Sequence, residues 1–285
     1  MTPATLARPF QQVDVFTSMP YRGNPVAVVL DGTGLTPEQM QRFTDWTNLS
    51  EATFVLPPEH PEADYQLRIF CPGRELPFAG HPTLGSCHAW LRAGGKPKGE
   101  CVVQECGVGL VRIRRDGDRL AFAAPPLRRG GPLEEAELAR IAAGLGLARG
   151  EIVAHAWCDN GPQWRGVMLR SAQQVLALRA DSTQLAGLEI GIVGPWPAGS
   201  ECAFEVRAFF PGLGGLAEDP VTGSLNAAIA QWLIGAGMVP ARYIASQGTT
   251  LGRAGRVHVD QDPHTPSTIW IGGQSVTCIE GQVRL

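Results

Sequence analysis

The sequence predicts an α+β fold of two similar halves, in each of which short strands surround an apolar helix. Three observations predict it. A segment near residue 70 is repeated near residue 210, both copies run into apolar helix-like stretches, and Gly and Pro make up about a fifth of the 285 residues. High Gly and Pro content favours many tight turns, which are more typical of short strands than of a helix bundle.

The repeat carries the prediction of two similar domains. Residues 68–86 read RIFCPGRELPFAGHPTLGS, and residues 207–224 read RAFFPGLGGLAEDPVTGS. Seven identities occur in the same order when one gap is allowed, and this alignment sets His81 against Asp219. The stretch at 225–238 is apolar almost all round, which indicates a helix buried in the centre of a domain.

Local patterns place further elements in chain order. Thr36-Pro37-Glu38-Gln39 has the form of a capped helix start, and the helix is expected to end near Asn48. The Pro-, Gly- and Arg-rich stretch at 124–132 is the expected domain boundary, and a helix follows from about residue 133. Alternating or β-branched runs predict strands at 14–16, 25–30, 52–56, 64–70, 166–169 and 256–259.

Composition excludes several classes of protein. The net charge of −3 gives no basic footprint for nucleic acid or for an anionic membrane surface. The sequence has no run of 18 apolar residues and no apolar region after its start, so we expect neither a membrane span nor a secretory signal. The seven cysteines lack zinc or disulfide spacing, and we interpret them as free, mostly buried thiols of a cytoplasmic protein.

Two predicted helix starts have the composition of anion sites. In each, a polar residue precedes a proline that can take the first helical position, at His81-Pro82 and at Asp219-Pro220, and small residues follow. A helix N-terminus offers unpaired N–H groups and a partial positive charge, and Gly and Ser let a ligand come close. The alternative is a pair of ordinary capped helices, and the duplication of the motif favours the anion sites.

Three side chains are candidates for proton transfer. Glu51 lies between a helix end and a buried strand, where partial desolvation would raise its pKa; the alternative, which the sequence alone favours, is an exposed loop glutamate. His81 would shuttle a proton near neutral pH, or be structural. Asp219 follows Glu218, and of these two acids one can cap the helix while the other faces ligand or solvent.

Five blocks of the sequence carry a resemblance to a known family. They are VDVFTSMPYRGNPVAVV (13–29), NLSEATFV (48–55), RIFCPGRELPFAGHPTLG (68–85), EDPVTGS (218–224) and QGTTLGRAGRVHV (247–259). These blocks resemble the PhzF-like family, which includes the phenazine biosynthesis isomerases. The resemblance covers nearly the whole chain and implies the diaminopimelate epimerase-like fold, with two pseudo-symmetric domains, each a curved sheet or barrel around a central helix. We place the domains at 1–125 and 126–285, with a last strand that can return to the first domain.

The resemblance also implies an activity and a site. It implies an isomerase without a cofactor or a metal, a homodimer, and an active site in the interdomain cleft that takes a small anionic carboxylate substrate. Glu51 matches the family's general acid/base, and His81 and Asp219 match residues that assist proton movement. We therefore predict Glu51, His81 and Asp219 as catalytic residues and Gly80, Thr222, Gly223 and Ser224 as substrate-binding residues.

Two alternatives to the isomerase stay open at this point. The fold's racemases and epimerases place a cysteine on each side of the substrate carbon, and the matching segments FAGHP and AEDPVTG contain none. A racemase or epimerase would therefore have to use other groups. A small-molecule-binding protein that has lost catalysis is the second alternative, and the presence of all the predicted site residues counts against it. Cys71 and Leu225 depart from the family's usual residues, so the phenazine substrate is not transferred.

Overall fold

The computed structural model describes residues 6–212 and 214–285. Five α-helices and sixteen strands occur in these residues. The helices are α1 (Pro37–Thr47), α2 (Gly80–Arg92), α3 (Glu135–Gly144), α4 (Ala172–Ala177) and α5 (Gly223–Gly235). The strands are β1 (Ala7–Val15), β2 (Asn24–Val29), β3 (Ala52–Leu56), β4 (Tyr65–Cys71), β5 (Arg74–Leu76), β6 (Val102–Cys106), β7 (Gly109–Asp116), β8 (Arg119–Ala123), β9 (Ala154–Asp159), β10 (Gln163–Met168), β11 (Ile190–Pro195), β12 (Phe204–Gly212), β13 (Gly215–Asp219), β14 (Arg242–Gln247), β15 (Gly255–Gln261) and β16 (Ile269–Arg284).

The chain divides into two compact units. Unit 1 consists of Met1–Ala123 and Gly272–Leu285, and unit 2 consists of Ala124–Ile271. The strand β16 therefore begins in unit 2 and belongs to unit 1 from Gly272 onward. Two separately folding domains with limits at 1–125 and 126–285 stay a prediction, and limited proteolysis would test it.

Unit 1 is a closed barrel around one helix. Its strands pair in the order β1-β2-β3-β4-β6-β7-β8-β16, and β16 pairs with β1 to close the ring. The helix α2 contacts β1, β2, β3, β4, β6 and β8, and every residue from Gly80 to Cys87 is buried. A Cβ on Gly85 would lie 2.4 Å from Cγ1 of Val26, so the absence of a side chain there lets α2 approach the barrel wall.

The helix α1 covers the outside of this barrel. Thr36 caps it as the sequence predicts, since its hydroxyl accepts from the N–H of Gln39 and the Gln39 side chain accepts from the N–H of Thr36. Asn48 ends the helix in the left-handed region, at φ 57°. The buried apolar side chains of α1, Met40 and Phe43, belong to one core cluster with Ala27, Val29, Leu35, Ala52, Phe54 and Phe70.

Unit 2 repeats the arrangement of a curved sheet and a helix. Its strands pair in the order β15-β14-β12-β11-β10-β9, and α5 contacts β9, β10 and β15. Alternation along β11 separates the two faces of the sheet: Gly191 faces Leu225 of α5, whereas Ile190 and Ile192 join the core on the other face. That core includes residues of α3 and α4, so unit 2 has helices on both faces of its sheet. The predicted fold class is confirmed.

The repeat is visible as one hairpin built twice. In unit 1, Arg68 of β4 forms two hydrogen bonds with Glu75 of β5, and in unit 2, Arg207 of β12 forms two with Glu218 of β13. The strand registers agree as well, because the residue opposite each glutamate is the phenylalanine two positions after each arginine. A bidentate Arg–carboxylate pair fixes geometry as well as charge, so it marks equivalent positions.

These hairpins correct part of the sequence alignment. Arg68 does match Arg207, but matching the two glutamates brings the starts of α2 and α5 together, and His81 is then no longer opposite Asp219. The one-gap alignment is wrong beyond the hairpin, because Phe209 and Glu218 are nine positions apart whereas Phe70 and Glu75 are five apart, so the second hairpin is four residues longer. The corrected pairs are Leu76 with Asp219, Ala79 with Thr222, Gly80 with Gly223 and His81 with Ser224.

Candidate active site

The predicted site residues form two groups, one in each unit. The Glu51 group, in unit 1, consists of Glu51, His81, Gly80 and Asn24. The Asp219 group, in unit 2, consists of Asp219, Thr222, Gly223, Ser224 and Gln247. Asn24 and Gln247 were not predicted from the sequence. Asn24 contacts His81, and Gln247 contacts Thr222.

Glu51 lies in the short connection between α1 and β3. The left-handed Asn48 ends the helix, and the backbone carbonyl of Glu51 accepts a hydrogen bond from the N–H of Ala27, which fixes the connection against β2. The Glu51 side chain is 17% exposed, so its carboxylate is largely removed from water while one side stays accessible. This is the position between a helix end and a buried strand that the sequence predicts.

His81 is the second residue of α2 and is 5% exposed. Its Nε2 lies 3.3 Å from Oε2 of Glu51, and its Nδ1 lies 3.3 Å from Nδ2 of Asn24. Burial lowers the pKa of His81 to about 3, while a hydrogen bond with the Pro25 carbonyl acts in the opposite direction. Burial thus disfavours the charged ring, and the part of His81 in proton transfer stays a prediction.

The contact between Glu51 and His81 is thus one between a carboxyl group and a neutral ring. A neutral imidazole carries one N–H and one accepting nitrogen. With its two nitrogens facing Asn24 and Glu51, the ring can orient the carboxyl group or hold a proton next to it without forming an ion pair. As a carboxylate, Glu51 can accept a proton from a substrate, and the neutral ring beside it adds no second buried charge.

Asn24 is positioned by the turn between β1 and β2. The Asp14 carboxylate accepts hydrogen bonds from the N–H groups of Arg22 and Gly23, at 2.8 and 2.9 Å. A Cβ on Gly23 would lie 2.1 Å from the carbonyl oxygen of Val15, so only glycine fits. The sequence predicts a strand on each side of this turn, but nothing in the sequence shows that Asn24 reaches His81.

The N-terminus of α2 has no side-chain cap. The residue at the N-cap is Ala79, Pro82 has no N–H, and the N–H of Thr83 bonds to the Ala79 carbonyl. The first-turn donors are therefore the N–H groups of Gly80 and His81, at the positive end of the helix dipole. This supports the predicted anion site at Gly80, although the proline is the third helical residue and not the first.

Polar contacts inside the barrel hold α2 in register. The Gln104 amide donates to Oγ1 of Thr83, and its carbonyl accepts from the Tyr65 hydroxyl. Farther along the helix, the hydroxyl oxygens of Ser86 and Thr53 lie 2.8 Å apart. Buried polar groups with satisfied hydrogen bonds fix one arrangement of a core, so these contacts fix where His81 is presented.

Asp219 ends β13, and Thr222 is the N-cap residue of α5. The Thr222 hydroxyl donates to Oδ2 of Asp219 at 2.6 Å instead of capping the helix. Gln247, at the end of β14, accepts from the N–H of Thr222 at 3.0 Å and donates to the Thr222 hydroxyl at 2.9 Å. Pro220 lies outside the helix, so the prediction that it takes the first helical position is wrong.

The start of α5 is held by the β9–β10 hairpin. Nδ2 of Asn160 donates to the carbonyl of Ser224, and Nε1 of Trp164 donates to its hydroxyl oxygen at 3.2 Å. The Ser224 hydroxyl proton is left for another acceptor. Because Thr222 does not cap the helix, the N–H groups of Gly223 and Ser224 belong to an uncapped first turn, as in α2.

Glu218 has a structural contact of its own. Its two oxygens accept from Nε and Nη2 of Arg207, and Arg207 also donates to the carbonyls of Val175 and Leu178 at the end of α4. The Glu218 side chain is 12% exposed. Of the two adjacent acids, Glu218 therefore anchors the hairpin, and Asp219 contacts the helix start.

Three further features concern residues 6–212 and 214–285: the thiols, possible metal ligands and possible membrane-spanning helices. All seven cysteines are free, but only Cys87, Cys158 and Cys202 are buried, so the expectation that most are buried is wrong. Burial raises the pKa of Cys87 and of Cys158 to about 12. No group of three or more His, Cys, Asp or Glu side chains in this part of the chain is placed to hold a metal ion. None of its helices is long and apolar enough to cross a membrane.

The comparison with protein families identifies the chain. The family PhzC-PhzF, described as phenazine biosynthesis-like protein, matches residues 13–281. The chain belongs to this family. The match covers both units and includes every predicted site residue, so the resemblance drawn from the sequence blocks is confirmed.

Curated relatives cover nearly the whole chain. The trans-2,3-dihydro-3-hydroxyanthranilate isomerase of Pseudomonas aeruginosa is 33% identical over 96% of this chain and 98% of its own length. Antisense-enhancing sequence 1 of Schizosaccharomyces pombe is 36% identical over 96% of this chain and 97% of its own length. With full-length relatives that are named isomerases, this PhzF-family protein is an isomerase.

Solved structures agree on the fold. The PhzF-family phenazine biosynthesis protein of Bacillus anthracis has a TM-score of 0.81 at 22% identity, and the match covers 98% of this chain and 100% of that one. At this identity the likeness shows the fold alone. The diaminopimelate epimerase-like arrangement, predicted from the same blocks, is therefore confirmed.

Proposed function

We propose that this PhzF-family protein is a cofactor-independent isomerase that moves a proton within a small carboxylate substrate by general acid/base catalysis. The observation that carries the proposal is the 3.3 Å contact between Glu51 and the neutral, buried ring of His81, next to the uncapped start of α2. A carboxyl group at the edge of a dry site is a suitable proton acceptor and donor.

The reaction consists of one proton leaving and one proton returning. The Glu51 carboxylate takes a proton from an acidified carbon, the electron pair of the C–H bond moves into the conjugated system, and the carboxyl group of Glu51 returns a proton to another carbon. A double bond changes position, with no change in oxidation state. Such catalysis supplies about 10²- to 10⁴-fold, and the remainder must come from orientation and from stabilised charge.

The other predicted residues have supporting roles in this proposal. His81 orients the Glu51 carboxyl group and can accept or return its proton. The N–H group of Gly80 in unit 1 can bind an anionic group of the substrate, and Thr222, Gly223 and Ser224 of unit 2 stay predicted substrate-binding residues. Asp219, held by Thr222, positions or relays a proton.

The thiols do not support a racemase. Cys87 and Cys158 are protonated at neutral pH, because burial raises their pKa to about 12, and a thiol base must be a thiolate. Burial also raises the pKa of Cys71. No thiol pair therefore favours the racemase or epimerase alternative over the isomerase.

The names of the relatives supply the first substrate to test. Trans-2,3-dihydro-3-hydroxyanthranilate is a small conjugated carboxylate of the class proposed here, and relatives are named isomerases of it. We would incubate it with the chelator-treated protein in D₂O and follow its NMR spectrum. A shifted double bond with one new C–D bond supports the proposal. An inverted centre without a shifted bond would indicate an epimerase, and binding without either change would indicate a binding protein.

The assembly and location of the protein stay predictions. A homodimer follows from the family resemblance, and light scattering on the purified protein would test it. A cytoplasmic location follows from the cysteine pattern, and fractionation of the native cell would test it.

A further inference from the structure

We propose that Gln247 is a positioning residue that aims the Thr222 hydroxyl at Asp219 and thereby fixes the Asp219 carboxylate for proton transfer. The inference rests on the proposed function for the role of Asp219, and it adds a residue to which no role has been given. Two observations support it: the hydrogen bonds of the buried Gln247 amide, and the different residues at the equivalent positions of unit 1.

The Gln247 amide is fully used. The side chain is 1% exposed, and its Oε1 accepts from the N–H of Thr222 at 3.0 Å and from Nδ2 of Asn226 at 2.8 Å. Its Nε2 donates to Oγ1 of Thr222 at 2.9 Å and to the backbone carbonyl of Asp219 at 3.2 Å. With donors on one side and acceptors on the other, only one orientation of the amide satisfies all four hydrogen bonds.

This orientation determines where the Thr222 proton points. A hydroxyl has one proton to donate, and Oγ1 of Thr222 already accepts from Gln247. The proton is therefore directed to Oδ2 of Asp219, 2.6 Å away. A hydrogen bond to a charged acceptor is short and strong, so a chain from Gln247 through Thr222 to Asp219 holds the carboxylate in one place.

The backbone next to Gln247 completes the contact. Gly248 adopts φ +87°, and a Cβ there would lie 2.5 Å from the carbonyl oxygen of Pro220. The residue after Gln247 must therefore be glycine for β14 to end directly against the 219–222 segment. Gln247 and Gly248 together contact the 219–222 segment just before α5 begins.

Unit 1 shows that the fold does not require this chain of hydrogen bonds. The parallel pairs β4–β6 and β12–β14 have matching registers, so Gln247 is equivalent to Cys106. The equivalents of Asp219 and Thr222 are Leu76 and Ala79. All three polar members are replaced together in unit 1, where the same hairpin still leads into a central helix. The set thus occurs in unit 2, where an acid ends this hairpin, and not at the equivalent positions of unit 1.

The test uses full-length variants that remove one member of the chain at a time. Gln247→Met keeps the length of the side chain without its hydrogen bonds, Thr222→Val removes the hydroxyl, and Thr222→Ser retains it. The matched control is Gln11→Met in unit 1, which removes a buried glutamine that accepts from the Thr277 hydroxyl and belongs to neither group of site residues. Thermal unfolding of each variant shows whether it is folded at the assay temperature.

Turnover of trans-2,3-dihydro-3-hydroxyanthranilate gives the first readout. We expect Gln247→Met and Thr222→Val each to lower kcat about tenfold or more, which is part of the contribution of a positioned acid or base. The double variant should be no slower than either single variant, and Thr222→Ser should retain most of kcat. Losses that multiply, or an unchanged kcat in Gln247→Met, would overturn the inference.

A crystal structure of a folded Gln247 variant gives a readout that needs no substrate. In Gln247→Met, or in Gln247→Glu if the first variant does not fold, we expect the Asp219 carboxylate to leave Oγ1 of Thr222 while α5 stays in place. A retained 2.6 Å contact would overturn the inference. If the wild type does not turn over this substrate, the proposed substrate fails, and this structure alone decides the role of Gln247.

Discussion

Oε2 of Glu51 and Nε2 of His81 lie 3.3 Å apart at the buried start of α2, where a carboxyl group faces a ring that burial keeps neutral. The two side chains reach each other because α2 runs through the centre of a closed barrel and Glu51 follows the helix that covers its outside. The consequences for pH dependence, stability and reactivity can each be measured.

His81 should make the folded protein less stable in acid. Its pKa is about 3 when folded against 6.5 as the ordinary value, so the unfolded chain takes up a proton first as the pH falls. The His81 contribution to stability is therefore complete above pH 6.5 and is lost below it, by at most about 1.4 kcal/mol per pH unit. Urea unfolding of wild type and His81→Gln from pH 7 to 4 measures the difference in slope.

The control for this measurement is His60→Gln, because His60 is exposed. Its stability should follow the wild-type curve. Parallel curves for wild type and His81→Gln, or a His81 NMR signal that titrates between pH 5 and 8, would contradict a neutral buried ring.

Glu218 and Asp219 are adjacent, but substitutions of them should have different effects. Glu218→Ala leaves the Arg207 guanidinium buried without its carboxylate, and we expect a loss of about 3 kcal/mol in the free energy of unfolding. Its kcat, measured where the variant is folded, should stay within about threefold of wild type, whereas Asp219→Asn should lose at least about tenfold. Chemical denaturation and turnover assays on both variants would separate the roles. Equal losses of kcat would show that the two acids act together.

The buried thiols should be unreactive in the native protein. Cys87 and Cys158 are protonated at pH 8, since burial raises their pKa to about 12, and only the thiolate reacts with iodoacetamide. Mass spectrometry after labelling at pH 8 should find both unmodified, and both should be modified after denaturation. Inactivation that tracks the modification of either residue would instead revive a mechanism based on thiols.

Much of the fold could be predicted because its signals are local or repeated. The capping box at Thr36, the strand patterns and the two apolar helices each depend on residues close together in the sequence. The repeat was recognisable from Arg68 and Arg207, but its alignment failed after the hairpin. A glutamate that pairs with an arginine several residues earlier can be located only when the strand register is known.

The site was predictable as a set of residues but not as a set of contacts. Glu51 and Asp219 were found from their places beside helix ends and from the family resemblance. Asn24 and Gln247 were missed because each contacts a residue that is distant in the sequence. Asn24 and His81 are 57 positions apart, and Gln247 and Thr222 are 25 positions apart. The lowered pKa of His81 could not be predicted from the sequence, since burial inside a barrel depends on residues far apart in the chain.

The central claim is that Glu51 moves the proton, and solvent deuterium incorporation tests it most directly. Trans-2,3-dihydro-3-hydroxyanthranilate is incubated in D₂O with wild type, with Glu51→Gln and with Glu62→Gln as an exposed control. We expect deuterium in the product with wild type and with the control. With Glu51→Gln, we expect the rate of deuterium incorporation to fall by about 10²- to 10⁴-fold. Deuterium entering at the wild-type rate in a folded Glu51→Gln protein would contradict the account.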